Sequence, residues 1–422
     1  MSSAGRSISG VAFRAPAQLR TARVPRSQRS YGWASTVPWR QLRATVVTET
    51  YPPELNGAAM TVGRLTEALV ERGHHVELVR PRQAGEGSAS NHRGVSLRLV
   101  PGLPIPLYRA LRFGPPRTSM FLRAWAFDRP DLVHVATEGP LGASALRAAR
   151  RCGIPVSTSF HTNFHRYLRH YGLAWLGYPA TWYLRRFHNR AACTFVPTRQ
   201  AREELRAQGF RNLVLLGRGV DVSRFSPARR SAALRRSWGA SESDPVLLYV
   251  GRLAPEKNLP LAVDAFRAAR ASHPGARFVL VGDGPLEREL RRAHPEFVFA
   301  GRRCAEDLAA HYASADVFVF PSLTETFGNV TLEAMASGLA VLAFADAAAG
   351  ELIHHEQNGL LVPRGDPARF VDEARRVVQE PGLVAHMRLN AADTAATRSW
   401  EAVGDEFENV LMDLANEPSR WR

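Results

Sequence analysis

The sequence predicts an α/β protein built from two doubly wound domains, each a parallel sheet with helices on both faces. Short apolar runs of strand length alternate with amphipathic runs of helix length over most of the chain. A polar segment at 225–244, with Pro227 inside it, divides this alternation into two series. The chain has 422 residues, which is enough for two domains with full cores.

The first series occupies residues 44–224, which we predict to form an N-terminal Rossmann-like domain. Because strands and helices alternate, its sheet is expected to be parallel. The predicted strands are Ala44–Thr48, Val76–Val79, Val95–Val100, Leu132–Val135, Val156–Ser159, Ala192–Val196 and Leu213–Leu216. The predicted helices include Ala58–Arg72, Leu141–Cys152 and Ala201–Gly209.

The second series occupies residues 245–398 and follows the segment at 225–244, which we predict to be a crossover linker. Its predicted strands are Val246–Val250, Phe278–Val281, Phe297–Phe299, Val317–Pro321 and Ala340–Phe344. Its predicted helices are Leu259–Ser272, Glu287–Ala293, Asp307–Ala313 and Val330–Ser337. A last helix, Trp400–Ala415, lies in the terminal segment at 399–422 and is predicted to pack back on the first domain. Doubly wound sheets bind ligands at the carboxyl ends of their strands, so we expect the site in a cleft between the domains.

Composition narrows the class of protein. Residues 1–43 carry eight arginines and no acid, and we expect a disordered basic extension there, with a transit peptide or a misassigned start codon as alternatives. The scattered cysteines, Cys152, Cys193 and Cys304, argue against a disulfide framework or a zinc site. No apolar run reaches the roughly 18 residues that a membrane span needs.

The net charge of +16 is unevenly distributed. Residues 1–43 contribute +8 and residues 44–240 contribute +17, whereas residues 241–422 contribute −9. The front half therefore favours an anionic partner, which could be nucleic acid, an anionic membrane surface or an acidic substrate.

The chain has a single lysine, Lys257, among its 55 basic residues. With Arg252 it follows the predicted strand Val246–Val250, at a strand end where ligands bind. A lysine is a compact point charge on a flexible stem, and two cations in one loop can flank a diphosphate. A solvated charged loop is the alternative.

Two glutamates follow the apolar strand Val317–Phe320. Glu325 is on the loop and Glu333 is one turn into the helix that Gly328 and Asn329 open. The N–H groups and dipole of that helix would face the cleft, and the two carboxylates could bind hydroxyls of two sugar rings. A capped surface helix with incidental acids is the alternative.

Gly57 stands at the turn between the first strand and the first helix. Because it has no side chain, a phosphate could approach the N–H groups at the positive end of that helix. Ordinary turn chemistry also explains a glycine at this place.

With these motifs the sequence resembles the retaining, nucleotide-sugar-dependent glycosyltransferases of the GT-B type, a family that includes sucrose synthase and bacterial lipid mannosyltransferases. The resemblance covers residues 44 to about 415 and rests on the Glu-x7-Glu pair, the Gly-Arg-Leu-x3-Lys-Asn segment, the Gly-Asp-Gly-Pro turn and the segment Asn358–Pro363. First-half segments at 49–57, 159–164 and 217–221 are similar to the branch of GDP-mannose-dependent alpha-mannosyltransferases, with the sulfoquinovosyltransferases as near relatives.

The resemblance implies a role for each matching residue. Arg252, Lys257 and Gly57 would bind the donor diphosphate, and Glu325 would bind the donor sugar with backbone amides around Phe327, Gly328 and Asn329. Glu333 would bind the ribose, with Val330 nearby. His161 would lie near the reacting carbon and the acceptor. A buried core histidine is the alternative for His161. The stretches at 301–305 and 345–347 depart from the family pattern and weaken any inference about the base and the sugar.

The resemblance also implies retention of configuration, with the leaving diphosphate oxygen taking the acceptor proton. Since the chain has no Asp-x-Asp motif, we expect no metal and no other cofactor. The favoured reaction is mannose transfer from GDP-mannose, and UDP-sugar transfer to diacylglycerol is the alternative. A nucleotide-sugar epimerase and a nucleic-acid binder are the other classes; the acidic second domain argues against nucleic acid as a partner.

Two segments of the first domain, at 108–127 and 164–190, mix arginines with aromatic residues. Arginine with Trp and Tyr suits the headgroup layer of an anionic leaflet. We therefore expect a peripheral enzyme on the inner face of the cytoplasmic membrane, with a lipid or glycolipid acceptor. The alternative is that the aromatics are core and the arginines a solvated face.

Overall fold

The computed structural model describes residues 40–54, 56–83, 86, 94–105, 108–161 and 177–421. All but the last four positions of the predicted basic extension lie outside this range. Residues 162–176 lie outside it as well, and 164–176 of them belong to the second aromatic segment.

The first sheet is parallel, as predicted. The strands of this half are β1 Arg43–Val47, β2 His75–Pro81, β3 Ser96–Val100, β4 Leu103–Ile105, β5 Tyr108–Phe113, β6 Leu132–Val135, β7 Val156–Ser159, β8 Cys193–Val196 and β9 Leu213–Leu215. Within the described residues, seven of them form the sheet in the order β3-β2-β1-β6-β7-β8-β9. Strands β4 and β5 pair with each other as a separate antiparallel hairpin.

Helices cover both faces of this sheet, so its central strands β6, β7 and β8 are fully buried, including the three polar residues of β7. The helices are α1 Gly57–Glu71, α2 Thr118–Phe127, α3 Pro140–Arg151, α4 Gly177–His188 and α5 Arg199–Ala207. Helix α1 begins at a side-chain cap, because Oδ1 of Asn56 accepts a hydrogen bond from the N–H of Ala59 at 2.8 Å.

The second sheet repeats this arrangement. Its strands are β10 Val246–Val250, β11 Arg277–Val281, β12 Val298–Gly301, β13 Val317–Phe320, β14 Ala340–Phe344 and β15 Gly359–Val362, in the order β12-β11-β10-β13-β14-β15. The helices of this half are α6 Ala232–Ser237, α7 Leu259–Ser272, α8 Glu287–Ala293, α9 Ala305–Ser314, α10 Asn329–Ala336, α11 Ala347–Leu352, α12 Pro367–Gln379, α13 Pro381–Ala396 and α14 Trp400–Asn416. The predicted fold class of two doubly wound sheets is confirmed.

The C-terminal helix α14 packs on helix α1 of the first half, which confirms that prediction. Phe407 and Leu411 are buried in the core of the first sheet. Arg72, at the end of α1, donates to Asp405 at 2.6 Å and pairs with Glu408 at 3.0 Å. Apolar packing and ion pairs therefore fix the end of the chain to the first half.

The segment predicted as a crossover linker packs against the second half. Its Phe225 and Trp238 are buried in the core of the second sheet. Asp316, just before β13, is surrounded by three arginines: Arg230 and Arg235 from this segment and Arg388 from α13, each at 3.0 Å. One carboxylate thus joins three distant parts of the chain.

The aromatic–basic segments are divided between core and surface. Phe121 and Trp125 of α2 are buried, whereas Phe127 is 95% exposed. In α4, Tyr178 and Trp182 are exposed at 82% and 51%. Neither interpretation therefore holds for a whole segment. Among the described residues, no helix is both long enough and apolar enough to cross a membrane.

Candidate functional site

In each sheet the strand order reverses at one place, between β1 and β6 in the first sheet and between β10 and β13 in the second. Such a switch point opens a crevice at the carboxyl ends of the two strands. The predicted site residues follow these strands: Gly57 comes after β1, Arg252 and Lys257 after β10, and Glu325 after β13.

The first residues of helices α1 and α10 lie close together. A Cβ placed on Gly57, the first residue of α1, would lie 3.8 Å from Nδ2 of Asn329, the first residue of α10. Gly328 turns the chain into α10 with a φ of +86°, a conformation that favours glycine. Both helix dipoles therefore direct their positive ends at the same gap, which suits an anion.

Lys257 and Glu325 meet in this crevice. Nζ of Lys257 donates a hydrogen bond to Oε1 of Glu325, and Oγ of Ser322 donates to the same oxygen at 2.6 Å. The ammonium group of Lys257 also lies 5.8 Å from the ring centroid of Phe320. The side chains of Lys257 and Glu325 are 14% and 17% exposed, so the pair is held on several sides and still reachable.

The Gly-Asp-Gly-Pro turn shapes the backbone of the Arg252 loop. A Cβ on Gly282 would lie 2.0 Å from the carbonyl oxygen of Gly251, and one on Gly284 would lie 2.4 Å from that of Leu253. Both positions also have positive φ, at +135° and +158°. Glycine is required in both places, because any side chain would displace the loop that carries Arg252.

Arg252 pairs with Glu256, four residues along the same loop. Glu256 is buried; burial raises its pKa, but the hydrogen bond from Arg252 and the charge of Lys257 outweigh that effect and lower it. The hydroxyl of Tyr249 donates to the carbonyl of Arg252 at 3.0 Å. The Arg252 side chain is 41% exposed, so a phosphate could reach it.

Glu333 lies deeper, on helix α10. Its Oε2 accepts a hydrogen bond from the hydroxyl of Tyr312 at 3.0 Å. Burial raises the pKa of Glu333 to about 7, while the Tyr312 hydrogen bond and the charge of Arg224 act in the opposite direction. This carboxyl group therefore titrates near neutral pH.

His161 follows β7, at the carboxyl edge of the first sheet. Nη2 of Arg218 lies 3.0 Å from its Nδ1. Burial, followed by the charge of Arg218, lowers the pKa of His161 well below its ordinary value, so the ring is neutral. Its Nε2 is buried and has no hydrogen-bond partner among the described residues.

The structure thus brings together five of the predicted residues, which are Gly57, Asn329, Lys257, Glu325 and, through the same loop, Arg252. Phe327 is buried and its carbonyl accepts from the N–H of Ala348 at 2.8 Å, while Val330 packs against the core of the second sheet. No described hydrogen bond or ion pair joins His161 or Glu333 to the Lys257–Glu325 pair. The ligand roles of all the predicted residues stay predictions.

Four residues that hold the predicted ones in place were not predicted from the sequence. These are Ser322 beside Glu325, Glu256 beside Arg252, Tyr312 beside Glu333 and Arg218 beside His161. Ser322 precedes Glu325 by three residues and could have been noticed. Tyr312 and Arg218 are 21 and 57 positions from their partners, so no local pattern reveals them. In the part of the chain that the structure describes, no group of three or more His, Cys, Asp or Glu is arranged to hold a metal ion.

Known families cover both halves of the chain. Residues 55–224 match the model described as Glycosyltransferase Family 4, and residues 244–380 match the one described as Glycosyl transferases group 1. A crystal structure of Anabaena Alr3699/HepE in complex with UDP has a similar fold, with a TM-score of 0.72 and 18% identity, and the match covers 88% of this chain and all of that one.

Curated relatives match over most of their length. A GDP-mannose-dependent alpha-mannosyltransferase of Mycobacterium tuberculosis is 37% identical over 369 residues, 87% of this chain and 95% of that protein. A GDP-mannose-dependent alpha-(1-6)-phosphatidylinositol dimannoside mannosyltransferase of the same species is 30% identical, covering 89% and 97%. A sulfoquinovosyl transferase of Arabidopsis thaliana is 30% identical, covering 82% and 68%.

These matches span both Rossmann-like halves and agree with the fold and with the predicted resemblance. The chain therefore belongs to the glycosyltransferases of family 4 and group 1, which transfer hexosyl groups and have the GT-B fold.

Proposed function

We propose that this enzyme transfers mannose from GDP-mannose to a lipid-linked or glycolipid acceptor, with retention of configuration. The observation that carries the proposal is the meeting of Lys257 and Glu325 beside the N-terminus of α10, whose first residue lies close to Gly57 of α1. A cation suited to a diphosphate and a carboxylate suited to sugar hydroxyls are adjacent, as they must be to bind a nucleotide sugar at its reacting bond.

The choice of GDP-mannose rests on similarity to relatives named for that donor, at 37% and 30% identity. The lipid acceptor is supported by the second of them, whose name includes a phosphatidylinositol glycoside. Transfer from a UDP-sugar to diacylglycerol is the second candidate. The plant sulfoquinovosyl transferase, which is named for another sugar, supports it, but the match covers 68% of that protein, against 95% and 97% of the two relatives named for GDP-mannose.

In the proposed reaction the acceptor oxygen bonds to the anomeric carbon from the face that the diphosphate leaves. The acceptor proton passes to a leaving diphosphate oxygen, so no enzyme nucleophile is needed. Negative charge grows on the diphosphate as its bond breaks, and Lys257, Arg252 and the N-terminus of α1 would stabilise it. Glu325 would hold the sugar hydroxyls during this step. We propose that no metal takes part, since these cations supply the positive charge.

We propose that the first domain binds the inner face of an anionic cytoplasmic membrane. Partial burial, followed by the charges of Arg186, Arg150 and Arg147, lowers the pKa of Arg190 at the end of α4, so arginines of α3 and α4 lie close together. Exposed Trp182 stacks near Arg186, with 5.7 Å between the guanidinium carbon and the ring centroid. Clustered arginines with exposed aromatics suit lipid phosphates and the headgroup layer, and nucleic acid is not proposed as a partner.

The test is a transfer assay with purified enzyme, bacterial lipid extract and one radiolabelled donor at a time: GDP-mannose, UDP-glucose or UDP-sulfoquinovose. We expect a labelled glycolipid with GDP-mannose, at an unchanged rate in EDTA, and none with Glu325→Ala. Product only from a UDP-sugar would replace the proposal by the second candidate. Isomerisation of a sugar nucleotide without acceptor would indicate an epimerase.

A further inference from the structure

Three histidines lie at or near the carboxyl edge of the first sheet, and the two that are buried, His134 and His188, are fully hydrogen-bonded. Nδ1 and Nε2 of His134 contact the hydroxyls of Ser157 and Ser159 at 2.9 and 3.2 Å. His188 has a partner on each ring nitrogen too, Thr158 at 2.9 Å and Glu138 at 3.2 Å. These rings are satisfied parts of the core.

His161 differs from both. Its Nδ1 has Arg218 as a partner at 3.0 Å, whereas its Nε2 is buried without a partner among the described residues. Leaving a buried polar group without a partner is unfavourable, and such groups are rare enough in native proteins to need an explanation. The location of His161 supports one explanation, which is that a bound substrate completes the hydrogen bond of Nε2.

The chemistry of Arg218 fixes the proton on the ring. A guanidinium group carries only donors, so Nδ1 of His161 must accept and has no proton of its own. The neutral ring then carries its proton on Nε2. Arg218 is itself buried and follows β9, two strands from β7, so its position is set by the sheet.

We propose that Arg218 is a positioning residue that holds His161 as the neutral Nε2–H tautomer, which donates one hydrogen bond to an oxygen of the bound sugar or acceptor. This inference rests on the proposed function only for the identity of that oxygen. In this role His161 is a fixed donor and takes no proton during the reaction.

The charges around His161 keep it neutral. Burial lowers its pKa most, followed by Arg218 and by two neighbouring histidines, His134 and His188. Of these, Arg218 is the permanently charged group. Without Arg218, His161 could therefore adopt the other tautomer and would be easier to protonate.

The direct test is NMR of the full-length enzyme labelled with 15N and 13C in histidine, with His161→Gln to assign the ring. We expect His161 in the wild-type enzyme to stay neutral and protonated on Nε2 from pH 5 to 8. A proton on Nδ1, or a cationic ring at pH 6, would overturn the inference without any variant and without any activity. The result is therefore independent of whether GDP-mannose is the donor.

Arg218→Met and Arg218→Lys form the matched pair for kinetics. Lysine keeps a donor-only cation facing Nδ1, and methionine keeps volume but no hydrogen bond. We expect Arg218→Met to lower kcat about tenfold to 100-fold with a smaller change in the KM for the nucleotide sugar. Activity should also be lost at acid pH, at a higher pH than in the wild-type enzyme, because His161 protonates more easily once the charge of Arg218 is gone.

Arg218→Lys should restore the single Nε2–H tautomer and most of the rate. The double variant Arg218→Met with His161→Ala should be no slower than His161→Ala, because Arg218 acts through that ring. Additive losses, or an unchanged His161 tautomer in Arg218→Met, would assign Arg218 a merely structural role. If Arg218→Met does not fold, the wild-type spectrum and the lysine variant decide the matter.

Discussion

Nζ of Lys257 and Oε1 of Glu325 are hydrogen-bonded to each other, although the residues are 68 positions apart in the sequence. The contact joins the loops after β10 and β13, the two strands that flank the switch point of the second sheet. Each side chain is a counter-ion of the other. In the proposed function a nucleotide sugar would take over both charges at once, its diphosphate at Lys257 and its hydroxyls at Glu325.

Ser322 should be needed to hold Glu325 in place. The Ser322→Ala variant loses a 2.6 Å hydrogen bond to the carboxylate. We expect kcat/KM for the donor to fall about tenfold, as for one hydrogen bond to a charged group. Initial rates measure this, and Ser237→Ala on the exposed face of α6 is the control. An unchanged rate in Ser322→Ala would show that Lys257 alone positions Glu325.

Glu333 should lower the stability of the folded protein as the pH rises from about 4.5 to about 7. Burial raises its pKa from 4.5 to about 7, so stability falls as the pH rises between these values, while the unfolded chain is ionised and the folded one is not. Glu333→Gln removes that penalty, about 1–3 kcal/mol at pH 8 and far less at pH 5.

Thermal unfolding of the wild-type enzyme and Glu333→Gln at the two pH values measures this difference. We expect the variant to melt higher at pH 8 and nearly the same at pH 5. The same variant should bind GDP-mannose more weakly, since an amide cannot replace the proposed carboxylate at the ribose. An equal shift in melting temperature at both pH values would contradict the raised pKa.

Asp316 should matter for stability and not for transfer. Asp316→Asn leaves Arg230, Arg235 and Arg388 without their shared carboxylate, and Arg235 is almost fully buried. Breaking such a pair costs on the order of 3 kcal/mol, or about 6–12 °C in the unfolding midpoint. The exposed pair of Asp372 with Arg375 provides the control, where Asp372→Asn should shift the midpoint by less than about 2 °C. A wild-type midpoint in Asp316→Asn would refute the role of this cluster.

The arginines of α4 should bind anionic membranes. The double variant Arg186→Glu with Arg190→Glu should bind vesicles of phosphatidylglycerol at least about tenfold more weakly than wild type. The control, Arg288→Glu with Arg292→Glu, makes the same change of charge on exposed residues of the second domain. Co-sedimentation at two salt concentrations measures both. Equal binding by the two double variants would mean that net charge, and not this face, attracts the membrane.

The sequence was sufficient to predict the sheets and the ends of their strands. Strands buried on both faces form continuous apolar runs, and the ends of these runs alone place Arg252, Lys257 and Glu325 at the carboxyl edge. The family motifs supplied the expected role of each residue. Helix α10 was predicted within one residue at each end, because Gly328 and Gly338 bound it.

Contacts between distant segments were beyond the sequence. The β4–β5 hairpin, strand β15 and helices α12 and α13 were not predicted, because their short or mixed patterns fit several structures. The packing of Phe225 and Trp238 on the second sheet was not predicted. The Asp316 cluster was not predicted either, because Val246 and the three arginines that contact Asp316 are 70 or more positions away from it. The Arg218–His161 contact is of the same kind.

The most direct test of the central claim is the rate of transfer from GDP-mannose by variants at Lys257, with thermal unfolding as the check on the fold. We expect Lys257→Ala to lower kcat on the order of 10²–10³-fold with an unfolding midpoint near that of wild type. Lys257→Arg should also be strongly impaired, since a planar fork cannot reproduce a compact ammonium group beside both Glu325 and a diphosphate. Wild-type rates in both variants would show that the Lys257–Glu325 pair is not the centre of the reaction.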